Sequence, residues 1–285
     1  MIVIFGATGT IGTHLISSLS DKGIALRAVT SDASRIAALK AQGCEAMVAD
    51  FDDPAALARA CKGAQKAFLV TPAHQEMGRW KANVVHATAD AGVQHMVMST
   101  GLGASPKARL TFGIWHSASQ ELLKESGMGW TLIQPTYFVQ NLLWQSDSIA
   151  NGNTYLDDVG GPVSWVDARD IADVSTEALT GEGHLGKAYG LTGDEALSGD
   201  DIAALLTQTL GRDITRRAVG PDDLKRALDK AKLALRPGDV VFVRTGWGKF
   251  FMTDNDKYLS GEPGLNEAAA HFLTTRSSSS KAFVR

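Results

Sequence analysis

The chain has 285 residues, 44% hydrophobic and 21% charged, with a formal net charge of −3 at pH 7. That length suits one large or two modest domains with a sizeable core, and a near-neutral chain has no excess positive charge with which to hold nucleic acid. Cys44 and Cys61 have no CxxC or CxxH spacing, so they form neither a disulfide framework nor a zinc site. No apolar run approaches the ~18 residues that span a bilayer, and Met1 leads into an apolar run without a charged leader, so a cytoplasmic protein without a membrane partner is expected.

Residues 1 to about 135 alternate short apolar runs with longer amphipathic stretches, the pattern of repeated βα units around a parallel sheet. The first strand candidate, Ile2 to Phe5, runs directly into Gly6-Ala-Thr-Gly9-Thr-Ile-Gly12, and a helix is expected from near Thr10. Glycines allow a tight turn and a close backbone approach, and the free amides and positive end of the following helix attract a pyrophosphate. The competing reading is a plain strand-to-helix turn, which the flanking strand, helix and second strand argue against.

The second strand candidate, Ala25 to Thr30, ends in Ser31-Asp32-Ala-Ser-Arg35. An acidic residue about 20 positions beyond the glycine loop takes the ribose hydroxyls of NAD, and Asp32 sits at that distance. Asp32 also reads as the N-cap of the next helix, the favoured role, which leaves Thr30, Ser31 and Arg35 to meet a 2′-phosphate. After a third candidate, Ala46 to Val48, Asp50 and Phe51 are placed to bracket adenine. Asp53-Pro54 starts a helix, and Gly43 and Gly63 sit where helices should end. The fourth candidate, Ala67 to Val70, is followed by Thr71-Pro72 beside the expected nicotinamide ribose, and the fifth and sixth are His95 to Ser99 and Trp130 to Ile133.

Beyond Pro135 the regularity loosens into a helix over Tyr137 to Ile149, a glycine-rich stretch, a helix from Asp167 and another over Ser198 to Leu210. After Lys232 come a turn, one isolated strand from Asp239 to Arg244, and a serine run at Ser277 to Ser280. The expected organisation is a cofactor-binding core at 1–135, a smaller substrate subdomain at 136–231 with some elements returning to the core, and an atypical tail at 232–285.

Several motifs together carry a family likeness. The glycine loop, Val48-Ala-Asp50-Phe-Asp-Asp-Pro, His116-Ser-Ala-Ser-Gln-Glu-Leu-Leu, Ser126-Gly-Met-Gly-Trp-Thr-Leu-Ile-Gln-Pro135, Phe138-Val-Gln-Asn141 and Trp165-Val-Asp-Ala-Arg-Asp-Ile-Ala172 resemble the NmrA-like branch of the atypical short-chain dehydrogenases. The likeness continues through Tyr189-Gly-Leu-Thr-Gly-Asp-Glu-Ala-Leu-Ser198 to about Ala231. It implies an α/β fold, a Rossmann-type parallel sheet flanked by helices with a small α+β C-terminal subdomain and a substrate cleft between them. It also implies NADP as cofactor. The arginine that usually ends the second strand and grips the NADP phosphate aligns here with Ser31, so NAD stays open.

By that resemblance Gly6, Thr8, Gly9, Thr10, Ile11 and Gly12 hold the pyrophosphate, Thr30, Ser31, Arg35, Asp50 and Phe51 the adenosine end, and Thr71, Pro72 and Ser99 the nicotinamide side. Short-chain dehydrogenases acting on alcohols use a Tyr-xxx-Lys pair to protonate the carbonyl oxygen. The corresponding stretch here is Phe112-Gly-Ile-Trp-His116, and phenylalanine donates no proton. A quinone or conjugated dye accepts hydride directly, so positioning supplies most of the catalysis. The expected activity is thus NAD(P)H-dependent reduction of a quinone-like small molecule by a monomer or homodimer. The alternative is a non-catalytic NADP(H) sensor, which binds the nucleotide and consumes none.

His116 and Tyr137 are the candidate catalytic contacts. As a site residue His116 bonds a substrate oxygen or supplies a proton from an ordinary pKa near 6.5; as a structural one it starts a helix and touches only backbone or water. Both readings stand at this point. Residues 233–273 resemble instead a fragment of the metal-dependent cyclase and kynurenine formamidase-like hydrolases, but without their histidine-rich metal motif, so no metal is expected.

Overall fold

The computed structural model of the chain describes residues 1–108, 111–157, 159, 161–218, 229, 241–243 and 282–284. In chain order the first eleven elements are β1 (Ile2–Phe5), α1 (Thr10–Asp21), β2 (Leu26–Thr30), α2 (Ile36–Ala41), β3 (Glu45–Val48), α3 (Pro54–Cys61), β4 (Lys66–Leu69), α4 (Met77–Asp90), β5 (His95–Ser99), α5 (Thr111–Glu125) and β6 (Gly129–Pro135). There follow α6 (Ser146–Gly152), β7 (Thr154–Asp157), α7 (Ala168–Thr180), β8 (Lys187–Leu191), α8 (Gly199–Leu210), β9 (Thr215–Ala218), β10 (Val241–Val243) and β11 (Ala282–Val284).

Seven strands pair in parallel in the order β3-β2-β1-β4-β5-β6-β8. Every residue of β1, β2 and β5 is buried, as expected of central strands covered by helices on both faces. Alternation along β1 splits the core in two. Ile2 and Ile4 pack with Ile11, Leu15 and Leu19 of α1 and with Ile171, Ala172 and Leu179 of α7. Val3 and Phe5 pack on the other face with Leu57 of α3, Val84 and Val85 of α4 and Leu123 of α5. Connections leave β1 toward β2 on one side, while β4 pairs on the other; this reversal opens a crevice at the carboxyl ends of the strands.

The helix starts follow local chemistry. Asp53 accepts a hydrogen bond from Ala56 N at 2.9 Å, with Pro54 in the first turn. Asp167 accepts from Arg169 N at 2.8 Å, and Ser198 with Asp201 forms a reciprocal capping box.

The chain divides into two units, 1–139 with 166–193 and 140–165 with 194–285. The first holds the seven-stranded sheet. In the second, β7 pairs in parallel with β9 beside a small core of Ile149, Tyr155, Ile202, Ala203 and Ile214. Arg216 on β9 meets the Asp157 carboxylate of β7 at 2.6 Å.

One sequence expectation changes. The helix expected over Tyr137 to Ile149 is instead a 3-10 run, Val139–Gln145, followed by α6. The Tyr137 carbonyl accepts from Val166 N at 2.9 Å and Val139 N donates to the Val166 carbonyl at 3.0 Å, so tertiary pairing consumes the groups a helix start needs. The strand after Lys232, which must pair elsewhere or stand as an exposed edge, pairs: β10 lies parallel to β11. The serine run at Ser277 to Ser280 and nearly all of 233–273 lie outside the described residues. Among the described residues no helix is long and apolar enough to cross a membrane, and no cluster of His, Cys, Asp and Glu could hold a metal.

Candidate functional site

The glycine turn joins β1, at the centre of the sheet, to α1. Gly6 has φ +83°, and a Cβ there would lie 2.5 Å from the Val70 carbonyl oxygen. A Cβ on Gly12 would enter the Gly6 carbonyl oxygen and come within 2.9 Å of Ala7 backbone atoms. The loop therefore folds onto itself, with Gly9 N donating to the Gly6 carbonyl at 3.1 Å. Thr8, Gly9 and Thr10 form an exposed crest over buried Ala7, Ile11 and Gly12. Gly9 is the N-cap of α1, no side chain caps that end, and its first turn has no acidic residue. The amide end of the helix is left to an external anion, and the residues fit a pyrophosphate.

At the end of β2, Thr30 is buried and its hydroxyl accepts from Asp32 N at 3.1 Å. Ser31 is exposed. Asp32 caps the following turn by accepting from Ser34 N at 2.8 Å, and Ser34 holds the Asp32 carboxyl below its usual range. Arg35 Nε stands 3.9 Å from that carboxylate. Beyond β3, exposed Asp50 accepts from Asp52 N at 2.8 Å. Phe51 stacks on Trp80 at a centroid distance of 5.8 Å, and Trp80 stacks on His74 at 4.7 Å. Arg79 ties the two segments together by pairing with Asp52 and Glu76.

Thr71 follows β4 by two residues, and its buried hydroxyl has no hydrogen-bond partner among the described residues; Pro72 beside it is exposed. An unpartnered buried hydroxyl costs free energy until something bonds it. Thr71→Val is accordingly expected to stabilise the ligand-free protein by about 1 kcal/mol and to weaken nicotinamide dinucleotide binding. A melting curve and a fluorescence titration check the two effects, which must have opposite signs.

The C-terminal end of β5 carries the site's most unusual chemistry. Ser99 is buried, and its carbonyl accepts from Lys81 Nζ at 2.9 Å. Lys81, on α4, is 0% exposed, and its Nζ also lies 3.1 Å from His116 Nδ1. While Lys81 is an ammonium it only donates, so Nδ1 then accepts and the imidazole proton resides on Nε2. That Nε2 is buried with no partner among the described residues. Gly101 packs close against that edge of the ring, where a Cβ would crowd His116 Cδ2 at 3.2 Å and stand 3.5 Å from Nε2. The Phe112 ring packs edge-on against the imidazole at 4.3 Å. Tyr137 beyond β6 is largely exposed.

His116 thus departs from the helix-start role and from the ordinary pKa expected of it. It lies inside α5 rather than at a helix start, is 5% exposed, and has a side-chain partner. Burial, reinforced by the Lys81 charge, drives its pKa to about 2, so it is a neutral imidazole and not an ordinary titrating one. Burial alone brings Lys81 down to about 7. Sequence reasoning missed Lys81, although a signal was present: Met77, Lys81, Val84, Val85 and Thr88 recur at helical spacing and form the buried stripe of α4.

The NmrA-like family model matches residues 1–243. The chain is 39% identical over 229 residues to an NAD(P)H azoreductase of Xenophilus azovorans, covering 80% of each protein. It is 29% identical over 285 residues to Quinone oxidoreductase 2 of Escherichia coli, covering 96% of this chain and 99% of the relative. Among solved structures, an NADPH-dependent quinone oxidoreductase of E. coli complexed with NADPH superposes with a TM-score of 0.73 at 26% identity, over 97% of this chain and 94% of that one. A Citrobacter triphenylmethane reductase complexed with NADP(H) shares the fold, with a TM-score of 0.74 at 21% identity, covering 97% and 95%. The family model and the match to Quinone oxidoreductase 2 extend past Ala231, where the family motifs stop in the sequence, and they lend no support to the cyclase-like reading of 233–273.

Proposed function

The chain belongs to the NmrA-like family, and from that premise we propose that it is an NAD(P)H-dependent reductase of quinone-like or conjugated dye acceptors. The observation that carries the reading is the uncapped glycine turn at the centre of a parallel sheet, facing the point where the strand order reverses. The names of the relatives, an azoreductase and quinone reductases, agree with it. We assign this work to the cytoplasm, whose reducing conditions suit the two free buried thiols Cys44 and Cys61.

Reduced nicotinamide supplies the hydride when bound. The chain's own residues orient the reactants: the α1 amides hold the pyrophosphate, the Thr71 hydroxyl bonds the nicotinamide half, and exposed Leu102, Phe112 and Tyr137 offer apolar surface to a flat acceptor. Phe112, near where alcohol dehydrogenases of this fold carry a tyrosine, cannot protonate a carbonyl. Electrophilic acceptors that take hydride without such help are therefore the fitting substrates.

NADP is the assigned nucleotide, with Ser31 and Arg35 as the contacts for the 2′-phosphate. The Asp32 carboxylate is engaged with Ser34 and stands near Arg35, which leaves it poorly disposed to take ribose hydroxyls. Arg35→Ala should weaken NADPH binding about tenfold and leave NADH binding nearly unchanged, since one charge-assisted contact is lost. Parallel fluorescence titrations measure this, and equal losses for both nucleotides count against it. The function itself is tested by following nucleotide consumption with a panel of quinones and dyes. Tight NADPH binding without consumption would turn the assignment to a redox sensor.

A further inference from the structure

A quinone that accepts a hydride becomes a hydroquinone anion and needs one proton to finish. We propose that Lys81 and His116 form a buried relay that delivers this proton, with His116 the catalytic residue and Lys81 the positioning and supplying one. The proposal rests on the reductase reading above. In the step, the hydride of a reduced nicotinamide dinucleotide adds to the quinone and two electrons pass with it. The His116 Nε2–H bond breaks as its proton goes to the acceptor oxygen, and a proton moves from Lys81 Nζ to His116 Nδ1. Hydroquinone, oxidised nicotinamide, a neutral lysine and the other imidazole tautomer result, and water resets the pair.

Four observations converge on the pair. Lys81 Nζ reaches His116 Nδ1 at 3.1 Å and the Ser99 carbonyl at 2.9 Å. His116 Nε2 is buried and unpartnered among the described residues. Gly101 carries no side chain to press on that edge of the ring, where a Cβ would be crowded at 3.2 Å from Cδ2. The pair lies at the C-terminal end of β5, the end at which ligands bind in such sheets.

A purely structural role accounts for this poorly. A buried ammonium is costly unless paired with an opposite charge, and among the described residues no carboxylate acts on Lys81, which burial lowers. Among the described residues the charge acting on His116 is that of Lys81. An oxyanion forming on the acceptor would be the missing counter-charge, present in the transition state and absent before it.

A cationic triphenylmethane dye separates proton delivery from hydride delivery, because hydride on its central carbon gives the neutral leuco dye with no proton taken up. Purified wild-type protein is assayed with NADPH and either a benzoquinone or crystal violet, beside Lys81→Met and Lys81→Gln. Glutamine keeps a donor for the Ser99 carbonyl and Nδ1 but supplies no proton. Quinone kcat/KM should fall above pH 7 in the wild type, following loss of the Lys81 proton, while dye kcat/KM stays flat. Both variants should lose about 100-fold on the quinone, with the dye-to-quinone rate ratio rising at least about tenfold.

A readout free of turnover accompanies this: 15N spectra of ligand-free protein should show His116 neutral and protonated on Nε2 below about pH 7, where Lys81 is an ammonium. Equal losses on both acceptors, rescue by glutamine, or a proton on Nδ1 would overturn the relay and leave the reductase reading standing. A wild-type protein that reduces neither acceptor overturns the reductase reading and the relay with it. Melting curves and NADPH titrations of each variant separate these results from misfolding.

Discussion

Gly12→Ala should yield a protein whose affinity for NADPH is at least about 100-fold weaker and whose stability is lower by about 3 kcal/mol, the upper range for overpacking. The added methyl would enter the Gly6 carbonyl oxygen and press on Ala7 Cα and C at 2.9 Å. All three are backbone atoms, so no side-chain rotation gives relief. Gly6 has little freedom to yield, because its backbone is left-handed and packs so close to Val70 that a Cβ built on it would lie 2.5 Å from the Val70 carbonyl oxygen and 2.6 Å from Cγ1. α1 must therefore swing away from the turn and carry its amide end out of register with the pyrophosphate. Gly9→Ala is the informative control. Its Cβ would meet only the Gly6 carbonyl oxygen, at an ordinary 3.4 Å, so that variant should melt like the wild type while its methyl obstructs the anion's approach. Titration and thermal melting of the pair check the claim, and an intact Gly12→Ala site would refute it.

The second large effect is acid lability. His95 is buried with Nε2 2.9 Å from the Thr131 hydroxyl, and burial, aided by the charges of Lys66 and His184, lowers its pKa to about 4. His116 is lowered to about 2. The unfolded chain titrates both near 6.5, so it binds more protons than the folded chain below that pH. Their contribution is complete above about pH 6.5 and is lost as pH falls toward the folded values. Two such groups give a slope of somewhat under ~3 kcal/mol per pH unit near pH 5, and a loss of roughly 4 kcal/mol between pH 7 and 5. That is a large share of the ~5–15 kcal/mol that holds a domain together. Urea midpoints measured from pH 7 to 5 should drop steeply, and His95→Asn should remove about half of the slope. A flat profile would show that the unfolded chain takes up no extra protons. Lys81 acts in the same direction at higher pH: its folded pKa of about 7 lies below the ordinary 10.5 of a lysine, so its contribution is lost as pH falls between those values.

What could be read in advance depended on where burial left its mark. β1 and β5 were legible residue for residue because both faces of each are covered and the sequence runs apolar without interruption. Asp53-Pro54, Asp167 and Ser198 announced helix starts through side chains that cap locally. β7 and β9 left no such trace, since Thr154–Asp157 and Thr215–Ala218 are half polar and stabilised by one another and by Arg216. The stretch after Pro135 misled for a tertiary reason, its carbonyls and amides being claimed by Val166. Within the candidate site the glycine turn was visible in the sequence. Its lysine was hidden because a charged residue on an amphipathic helix is usually read as facing water, and only the unbroken spacing from Met77 to Thr88 betrays that Lys81 faces inward.

The pairing of α1 with α7 over one face of β1 also governs how the chain is made. Ile11, Leu15, Ile16 and Leu19 leave the ribosome early, and their cover, Ala168–Thr180, is synthesised much later. At about 5–20 residues per second the wait is roughly 7 to 30 s, far longer than helix formation or collapse. Throughout it a greasy stripe stays available to chaperones or to neighbouring nascent chains. Truncations that stop before residue 180 should therefore be sticky even though they contain the whole glycine turn, and translation speed through residues 140–180 becomes a determinant of yield.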